Sequence, residues 1–470
     1  MELSIEKKWN KESDNLWSYT DEANFRNTAV QENTCPDDNY LGFEKAELLL
    51  KACGFGHSLI VEQLLKDKRV DPAADSNAAI RCASSHGHLS VVRILLNDPR
   101  VDPSDQNNEA LRFSCSKGHL DVLLELLKHP FVDPSDDSNK SIGFASSNGF
   151  VEIVKILLKD PRVDPSACND AAFRFACGKG KLEVAKELLL DPRVDPSAKQ
   201  NDAIRYAAGL GFLSIVQLLL KDSRVDPSAQ NNAALRYASS NGHLEIVKLL
   251  LSDSRVDPSA FDNAPIRFAC GKGRLEIAQL LLTDHRVDPS AKDNEAIRFA
   301  AGSGHAQVVQ FLLADPRVDP SALENEAFRV ACGKGHVDIL LLLLKDARVN
   351  PSDRQNEPIR SASSNGQSAV VKLLLTLSCV DPSDLDNEAI RMAAGKGHLS
   401  VAEILLNDPR VDPFSKNYLA FRLAKKHGHE HIVQILLSYY RRHKGTNYSP
   451  GNCSLQYGKN IDQILWRVFK

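Results

Sequence analysis

The chain has no excess of charge of either sign. Its 470 residues include 58 lysines and arginines and 61 aspartates and glutamates, which gives a formal net charge of -3. Proteins that bind nucleic acid or an anionic membrane surface through charge carry a basic surplus. The balance therefore predicts neither nucleic acid nor a membrane surface as a partner.

Long apolar runs are also missing. The longest aliphatic run, Ile339 to Leu344, is far shorter than the roughly 20 residues that a membrane-spanning helix needs. The first thirty residues contain no apolar core of the kind found in a secretory signal peptide. We expect no membrane span and no signal peptide.

Cysteine pairs at metal-binding or redox spacing are absent. None of the ten cysteines belongs to a C-x-x-C pair, which argues against common zinc and thioredoxin-like motifs. Five of them lie three residues before a glycine, where other stretches have serine or alanine: Cys53, Cys115, Cys177, Cys270 and Cys332. Free cysteine suits a small-residue position. We expect reduced thiols, no metal, no cofactor and a cytoplasmic location, with the nucleus left open.

The chain does contain an internal repeat of 31 residues. A glycine recurs at this interval thirteen times without an insertion. These glycines are Gly56, Gly87, Gly118, Gly149, Gly180, Gly211, Gly242, Gly273, Gly304, Gly335, Gly366, Gly397 and Gly428. A valine, nearly always in a Val-Asp-Pro triplet, keeps the same step from Val70 to Val411. Such spacing predicts one array that grows by stacking.

One stretch, residues 294–322, illustrates the local structure expected in every repeat. Asn294 is expected to cap a first helix through its side chain, and Gly304 to end it in a left-handed conformation. A second helix ends at Asp315-Pro316, because the residue before proline avoids the helical region. The apolar face shared by the two helices is expected to contain Ala296, Ile297, Ala300, Ala301, Val308, Val309, Leu312 and Leu313.

The second helix carries a family resemblance. Residues 242–251, G-H-L-E-I-V-K-L-L-L, resemble the second helix of the ankyrin repeat, and similar phrases recur from about Glu44 to Ser438. Two features depart from the family: A-I-R or A-F-R replaces T-P-L-H, and the period is 31 rather than about 33. The resemblance implies an all-α solenoid of stacked helix-turn-helix repeats with short hairpin or turn fingers between them.

Segments of different character flank the predicted array of residues 44–440. Residues 1–43 are polar and are expected to be largely disordered, with a folded partner-binding motif as the alternative. Residues 441–470 form a linker and a short amphipathic helix with apolar residues at Ile461, Ile464, Leu465, Val468 and Phe469. This helix is predicted to cap the array; a docking helix for a partner is the alternative.

Two recurring polar positions are interpreted as structural. Histidine follows the repeat glycine in eight repeats, but Phe, Lys, Arg and Gln also occupy this position, which favours packing or capping over metal binding. Arginine fills another position in eleven repeats. Arg298, for example, lies ten residues after Asp288 of a Val-Asp-Pro turn. This spacing predicts a ladder of Arg–Asp pairs, with an anion-binding stripe as the alternative.

Seven consecutive repeats carry an aromatic residue at one position of the first helix. These residues are Phe113, Phe144, Phe175, Tyr206, Tyr237, Phe268 and Phe299. We expect their rings to pack in the core between neighbouring first helices. Stacking on nucleic-acid bases is the alternative.

The variable positions of the repeat lie at the finger tips and at the ends of the first helices. Large apolar residues at a tip have no core to join and are candidate anchors for a partner. The candidates at the tips are Phe261, Leu323, Leu385 and Arg354. The candidates at the helix ends, which favour an acidic partner, are Lys179, Lys272, Lys334 and Lys396. The resemblance implies that these two surfaces line a concave groove, which in the ankyrin family holds a protein partner.

The sequence outside the array is too short for a catalytic domain. We therefore expect a monomeric, non-catalytic scaffold or adaptor that binds a protein partner. The alternative is a recognition subunit that presents a substrate to an enzyme held in a separate chain.

Overall fold

Residues 38–443 form helices joined by turns. A computed structural model describes the backbone of these residues and the side chains of residues 45–443. This part of the chain contains 26 helices and no strand. Thirteen first helices alternate with thirteen second helices, which confirms the predicted all-α solenoid.

First helices take odd numbers here and second helices take even numbers. The first helices, α1 to α25, span Asp38–Gly54, Ala74–His86, Asp105–Lys117, Asp136–Asn148, Ala167–Gly178, Ala198–Leu210, Ala229–Asn241, Ala260–Gly271, Ala291–Ser303, Ala322–Lys334, Asp353–Ser364, Asp384–Lys396 and Ser415–Lys426. The second helices, α2 to α26, span Ser58–Leu65, Leu89–Leu96, Leu120–Leu126, Val151–Lys159, Leu182–Leu189, Leu213–Leu219, Leu244–Leu251, Leu275–Leu281, Ala306–Leu313, Val337–Leu343, Ser368–Leu375, Leu399–Leu406 and Glu430–His443.

The chain divides between Ala229 and Gln230 into two compact halves. The N-terminal half contains α1 to α12, and the C-terminal half contains α14 to α26 and nearly all of α13. Within each half, first helices pack against the next first helix and against their own second helix. The N-terminal half holds repeats 1 to 6 and the C-terminal half holds repeats 7 to 13.

The apolar face predicted for residues 294–322 is buried between the helices. Seven of its eight residues are at most 1 % exposed, and Leu313 is partly exposed. Val318, in the turn that follows, is also buried. Fully burying one such aliphatic side chain contributes about 1.5–3 kcal/mol. Stacked repeats therefore supply the core that a single helix pair lacks.

The repeat glycine is required by both its conformation and its neighbour. Gly304 ends α17 with φ 84°, in the left-handed region predicted for it. A Cβ atom on Gly304 would lie only 2.8 Å from Cε1 of His336, the residue at the equivalent histidine position of the next repeat. Any side chain here would meet this ring and also strain the backbone.

Each finger contains a left-handed turn that the sequence analysis did not predict. In the finger at the start of the range given for α17, Lys292, Asp293 and Asn294 have φ angles of 55°, 53° and 60°. The predicted side-chain cap by Asn294 is wrong. Its Oδ1 instead accepts a hydrogen bond from the backbone N–H of Asp319 in the next repeat, at 2.7 Å. Asparagine tolerates left-handed backbone better than most residues, so this position serves both the finger and the stacking.

The thirteenth repeat differs from the others at two positions of its turn and finger. Tyr418 replaces asparagine at the third finger position, and Phe414 replaces the serine of the preceding turn. The Phe414 ring centroid lies 5.4 Å from that of Tyr418 and 5.5 Å from that of Tyr440. An aromatic cluster thus occupies the place where the other repeats form a hydrogen bond to the next repeat. The segment predicted for residues 461–469 lies outside the described residues, as do residues 1–37.

Candidate interaction surface

The seven aromatic residues predicted to pack between neighbouring first helices are not buried. Phe175, Tyr206, Tyr237 and Phe299 are between 40 % and 45 % exposed, and the other three rings are partly exposed. The predicted core packing is therefore wrong for these rings. In each half they form a half-exposed row on the first helices, which we call the aromatic column. Its members in the C-terminal half are Tyr237, Phe268 and Phe299.

The helical angle explains why these rings are exposed. In α17 the buried stripe consists of Ala296, Ile297, Ala300 and Ala301. At about 100° per residue, position 299 lies about 130° from the centre of that stripe. The small residue next in sequence faces the core, whereas the ring points away from it. Counting helical angle could have found this from the sequence.

Small residues lie beneath the aromatic column. A Cβ atom placed on Gly271 would lie 3.1 Å from Cβ of Phe299 in the next repeat, and one on Gly302 would lie 2.8 Å from Cγ1 of Val330. Phe299 therefore leans over Gly271 of the preceding first helix, and Val330 in the following repeat leans over Gly302. Because these glycines leave space, an open cavity of about 440 Å³ forms along the C-terminal half. We call it the aromatic groove.

The aromatic groove has apolar and charged borders. Phe268, Phe299 and Val330 supply its apolar surface. Lys272, at the end of α15, and the pair formed by Arg298 and Glu326 lie on its rim. The groove thus combines ring faces with hydrogen-bond donors, which is an arrangement suited to binding a polypeptide segment.

The recurring arginine holds the finger of its own repeat. Nε of Arg298 donates to the carbonyl oxygen of Asp293 at 2.9 Å, and Nη2 donates to that of Lys292 at 3.0 Å. Nη1 forms an ion pair with Glu326 in the next repeat. The same pairing of arginine with the following glutamate joins Arg81 to Glu109, Arg267 to Glu295, Arg329 to Glu357 and Arg360 to Glu388.

The predicted Arg–Asp ladder is therefore wrong in its acidic partner. Oδ1 of Asp288 accepts hydrogen bonds from the backbone N–H and the hydroxyl of Ser290, at 2.9 Å and 2.7 Å. The aspartate thus closes its own turn, and the glutamate of the next repeat serves the arginine. The predicted structural role of the arginine row is confirmed by its bonds to the finger carbonyls.

Arg236 lacks the acidic partner that Arg267, Arg298, Arg329 and Arg360 have in the following repeat. Ala264 occupies the position where those four repeats are followed by a glutamate, so no carboxylate is available there. The guanidinium carbon of Arg236 lies 4.9 Å from the ring centroid of Phe261 and 5.6 Å from that of Tyr237. Cation–π contacts at these distances join the aromatic column to a finger tip.

The three apolar tip candidates are exposed at the fingers. Phe261 is 53 % exposed, Leu323 48 % and Leu385 39 %. Each has a left-handed backbone, and its carbonyl oxygen accepts a hydrogen bond from the arginine of its own repeat. The structure therefore presents these side chains outward on a fixed backbone.

The charged candidates are exposed but differ in their surroundings. Arg354 is bonded through Nε to the carboxylate of Glu324 in the preceding finger. Lys272, Lys334 and Lys396 lie at the ends of first helices in the C-terminal half, and Lys272 also borders the aromatic groove. Lys179 has the equivalent place in the N-terminal half.

The histidine and cysteine positions are structural, as expected. Nε2 of His88 lies 2.8 Å from the carbonyl oxygen of Gly54 in the preceding repeat, and His398 bonds Ser364 in the same way. Burial lowers the pKa of His88, because the charged form is poorly solvated there. All eight cysteines in the described part of the chain are free thiols, and the five at the small-residue position are buried.

These features define a helical repeat protein with a half-exposed aromatic face. A family model described as ankyrin repeats, in three copies, matches overlapping stretches of the chain. The matched residues are 48–138, 142–231, 173–262, 204–293, 235–324, 266–354, 297–384 and 359–449. The chain therefore belongs to the ankyrin-repeat family, as the resemblance in its second helices predicted. No curated protein matches it.

Ankyrin repeats generally mediate protein–protein interactions, and the family is typically non-catalytic. Among residues 38–443, no helix is both long enough and apolar enough to cross a membrane.

Proposed function

We propose that this chain is a non-catalytic scaffold that binds a protein partner through its finger tips and the adjoining first-helix face. The observation that carries the proposal is the run of half-exposed aromatic rings on consecutive repeats. Exposed rings and large apolar tips arranged side by side are typical of a protein-binding surface. The proposal assigns anchoring roles to Phe261, Leu323 and Leu385.

Exposed lysines at the helix ends support a partner with acidic character. Lys272, Lys334 and Lys396 repeat along the C-terminal half, Lys179 lies in the N-terminal half, and the Arg354–Glu324 pair lies at the tips. Regularly spaced cations attract an acidic chain and raise its association rate. Buried free thiols agree with a reducing, cytoplasmic setting. We propose that the chain acts there as a monomer, which light scattering can check.

The test is capture of partners from a reducing cell extract with the intact chain and with a triple variant, Phe261→Ser/Leu323→Ser/Leu385→Ser. We expect the variant to lose the main partner while its melting temperature stays nearly unchanged, since exposed substitutions usually alter stability by under about 0.5 kcal/mol. Leu341→Ser is the matched control, because Leu341 is 50 % exposed on a second helix.

Two results would contradict the proposal. A large fall in melting temperature for the triple variant would show that the tips belong to the core. Equal capture by the triple variant, the control and the native chain would exclude the tips as anchors.

Charge reversal at Lys272, Lys334 and Lys396 tests whether the partner is acidic. It should weaken capture if the partner is acidic, and should leave capture unchanged otherwise.

A further inference from the structure

The aromatic groove of the C-terminal half has a periodicity that limits what can occupy it. Phe268, Phe299 and Val330 come from successive first helices, one side chain per repeat. Packed helices lie about 8–10 Å apart. A ligand that makes the same contact with each repeat must therefore repeat its own structure at about this distance.

A polyproline II helix meets this requirement. It has three residues per turn and rises about 3.1 Å per residue, so one turn measures about 9 Å. Every third side chain of such a segment faces the same way and can rest on one ring of the column. A β-strand would need a sheet edge to pair with, and residues 38–443 contain no strand.

The polar rim of the groove favours a polyproline II segment over an α-helix as the bound ligand. Lys272, Ser240 and Ser303 border the groove and can donate hydrogen bonds. An α-helix satisfies its own carbonyl groups, whereas a polyproline II helix has no internal hydrogen bonds and offers its carbonyl oxygens outward. The donors of the rim therefore match the extended segment, and proline rings match the exposed faces of Phe268 and Phe299.

The charged residues around the groove indicate which charge the bound segment carries. Lys272 lies on the rim, Lys334 ends the first helix two repeats further on, and Arg236 stacks on Tyr237 and Phe261 where Ala264 provides no carboxylate. Glu326, the acid on the rim, is paired with Arg298. The groove thus presents cations to its occupant, which favours acidic residues between the prolines and disfavours a basic proline-rich segment.

We propose that the aromatic groove binds an acidic, proline-rich segment of a partner protein in the polyproline II conformation, one turn to each repeat. This proposal rests on the proposed function, because it names the chemistry of a partner for the same face. The groove fits a segment of about three turns, from Phe268 at one end to Val330 at the other.

The test uses the full-length chain and a fluorescent peptide of four Pro-Pro-Glu copies, with binding followed by fluorescence anisotropy. We expect this peptide to bind at least about tenfold more tightly than one of four Gly-Gly-Glu copies, which has the same charge but a flexible backbone. Equal binding of the two peptides would show that only their charge is recognised, and this result would overturn the proposal. Tighter binding of an amphipathic helical peptide, or of an oligothymidine, would also overturn it.

Substitutions in the groove test whether the peptide binds there. Phe268→Ala/Phe299→Ala should weaken peptide binding at least about tenfold, since stacked aromatic anchors carry much of an interface's energy. Leu341→Ala, an exposed residue on a second helix, should leave it unchanged. Unaltered binding by the double variant would exclude the groove.

A gain-of-binding variant keeps the test informative if the double variant folds poorly. Val330 leans over Gly302 as Phe299 leans over Gly271, so Val330→Phe extends the column by one ring. It should tighten the binding of the four-copy peptide but not of a two-copy peptide. Equal effects on both peptides, or none, would contradict the register of one turn per repeat.

The two proposals can fail separately. If a cellular partner needs the finger tips but no proline-rich peptide binds, the scaffold function stands and the assignment of the segment falls. If neither a partner nor the peptide binds the intact chain, both fall.

Discussion

In most fingers a single arginine bonds two backbone carbonyl groups. Left-handed backbone costs about 1–2 kcal/mol for each residue other than glycine, and Lys292, Asp293 and Asn294 all adopt it. Arg298 binds the carbonyl oxygens of the first two residues, and Asn294 bonds forward to the next repeat. The strain is therefore offset by two bonds within the repeat and by one bond to the next repeat.

This arrangement predicts the effect of removing the arginine. Arg298→Ala should lower the free energy of unfolding by about 1–3 kcal/mol, because the finger carbonyls and Glu326 lose their partner. Glu326→Gln should cost less, since Arg298 keeps its two carbonyl bonds. Urea denaturation measures both changes, with Lys334→Ala as the exposed control. Equal stability of Arg298→Ala and the control would contradict the structural role of the arginine row and would favour the alternative, an anion-binding stripe.

At the scale of the element, a turn with the pattern Asp-x-Arg closes the second helix. Oδ1 of Asp315 accepts from the backbone N–H of Arg317 at 3.0 Å, and its Oδ2 accepts from Nη2 of the same residue at 2.7 Å. Nη1 of Arg317 reaches back to the carbonyl oxygen of Val287 in the preceding repeat. The same contact to a preceding valine recurs at Arg100, Arg162, Arg193, Arg224 and Arg410.

These turns predict how stability depends on pH. Hydrogen bonds from Arg317 lower the pKa of Asp315, and the equivalent bonds from Arg286 lower the pKa of Asp284 to about 2. A carboxylate whose pKa is lower when folded contributes stability above its unfolded pKa of about 3.9 and loses that contribution as pH falls through the folded value. The array should therefore lose stability as the pH falls from about 4 to about 2.

Thermal melting at pH 7, 5, 4 and 3 tests this expectation, with Asp315→Asn as the comparison. The native chain should melt higher than Asp315→Asn at pH 7, and the difference should shrink as the acid titrates. A difference that stays constant down to pH 3 would show that the charge of Asp315 contributes nothing to the turn.

At the scale of the whole molecule, stability is distributed along the array. First helices pack mainly against their neighbours in the stack, so each repeat depends on the two beside it. Among residues 38–443, the helices that pack closely together belong to the same repeat or to adjacent repeats. A local defect should therefore weaken its own region before it weakens the rest.

Glycine substitutions placed in different halves test this distribution. A Cβ atom on Gly118 would lie 2.5 Å from the Phe150 ring, and one on Gly304 would lie 2.8 Å from His336. We expect Gly118→Ala to increase hydrogen exchange first in the N-terminal half, and Gly304→Ala to increase it first in the C-terminal half. Uniform loss of protection along residues 38–443 for either variant would show a single cooperative unit instead.

The sequence by itself determined the number of repeats, their helical content and the faces that form the core. A constant step of 31 residues requires identical units, and helical spacing of Ala, Val and Leu decides which side of each helix is buried. Gly304 could be assigned from the sequence because a helix end needs left-handed backbone whatever surrounds it.

Only the tertiary structure decided which residues pair across repeats. Arg298 and Glu326 are 28 positions apart, whereas Asp288 is closer in sequence yet bonds Ser290. The forward hydrogen bond of Asn294 likewise depends on how neighbouring repeats stack. Periodicity fixes what lies on a helix face, but the offset between adjacent repeats decides which groups come within bonding distance, and that offset is a property of packing.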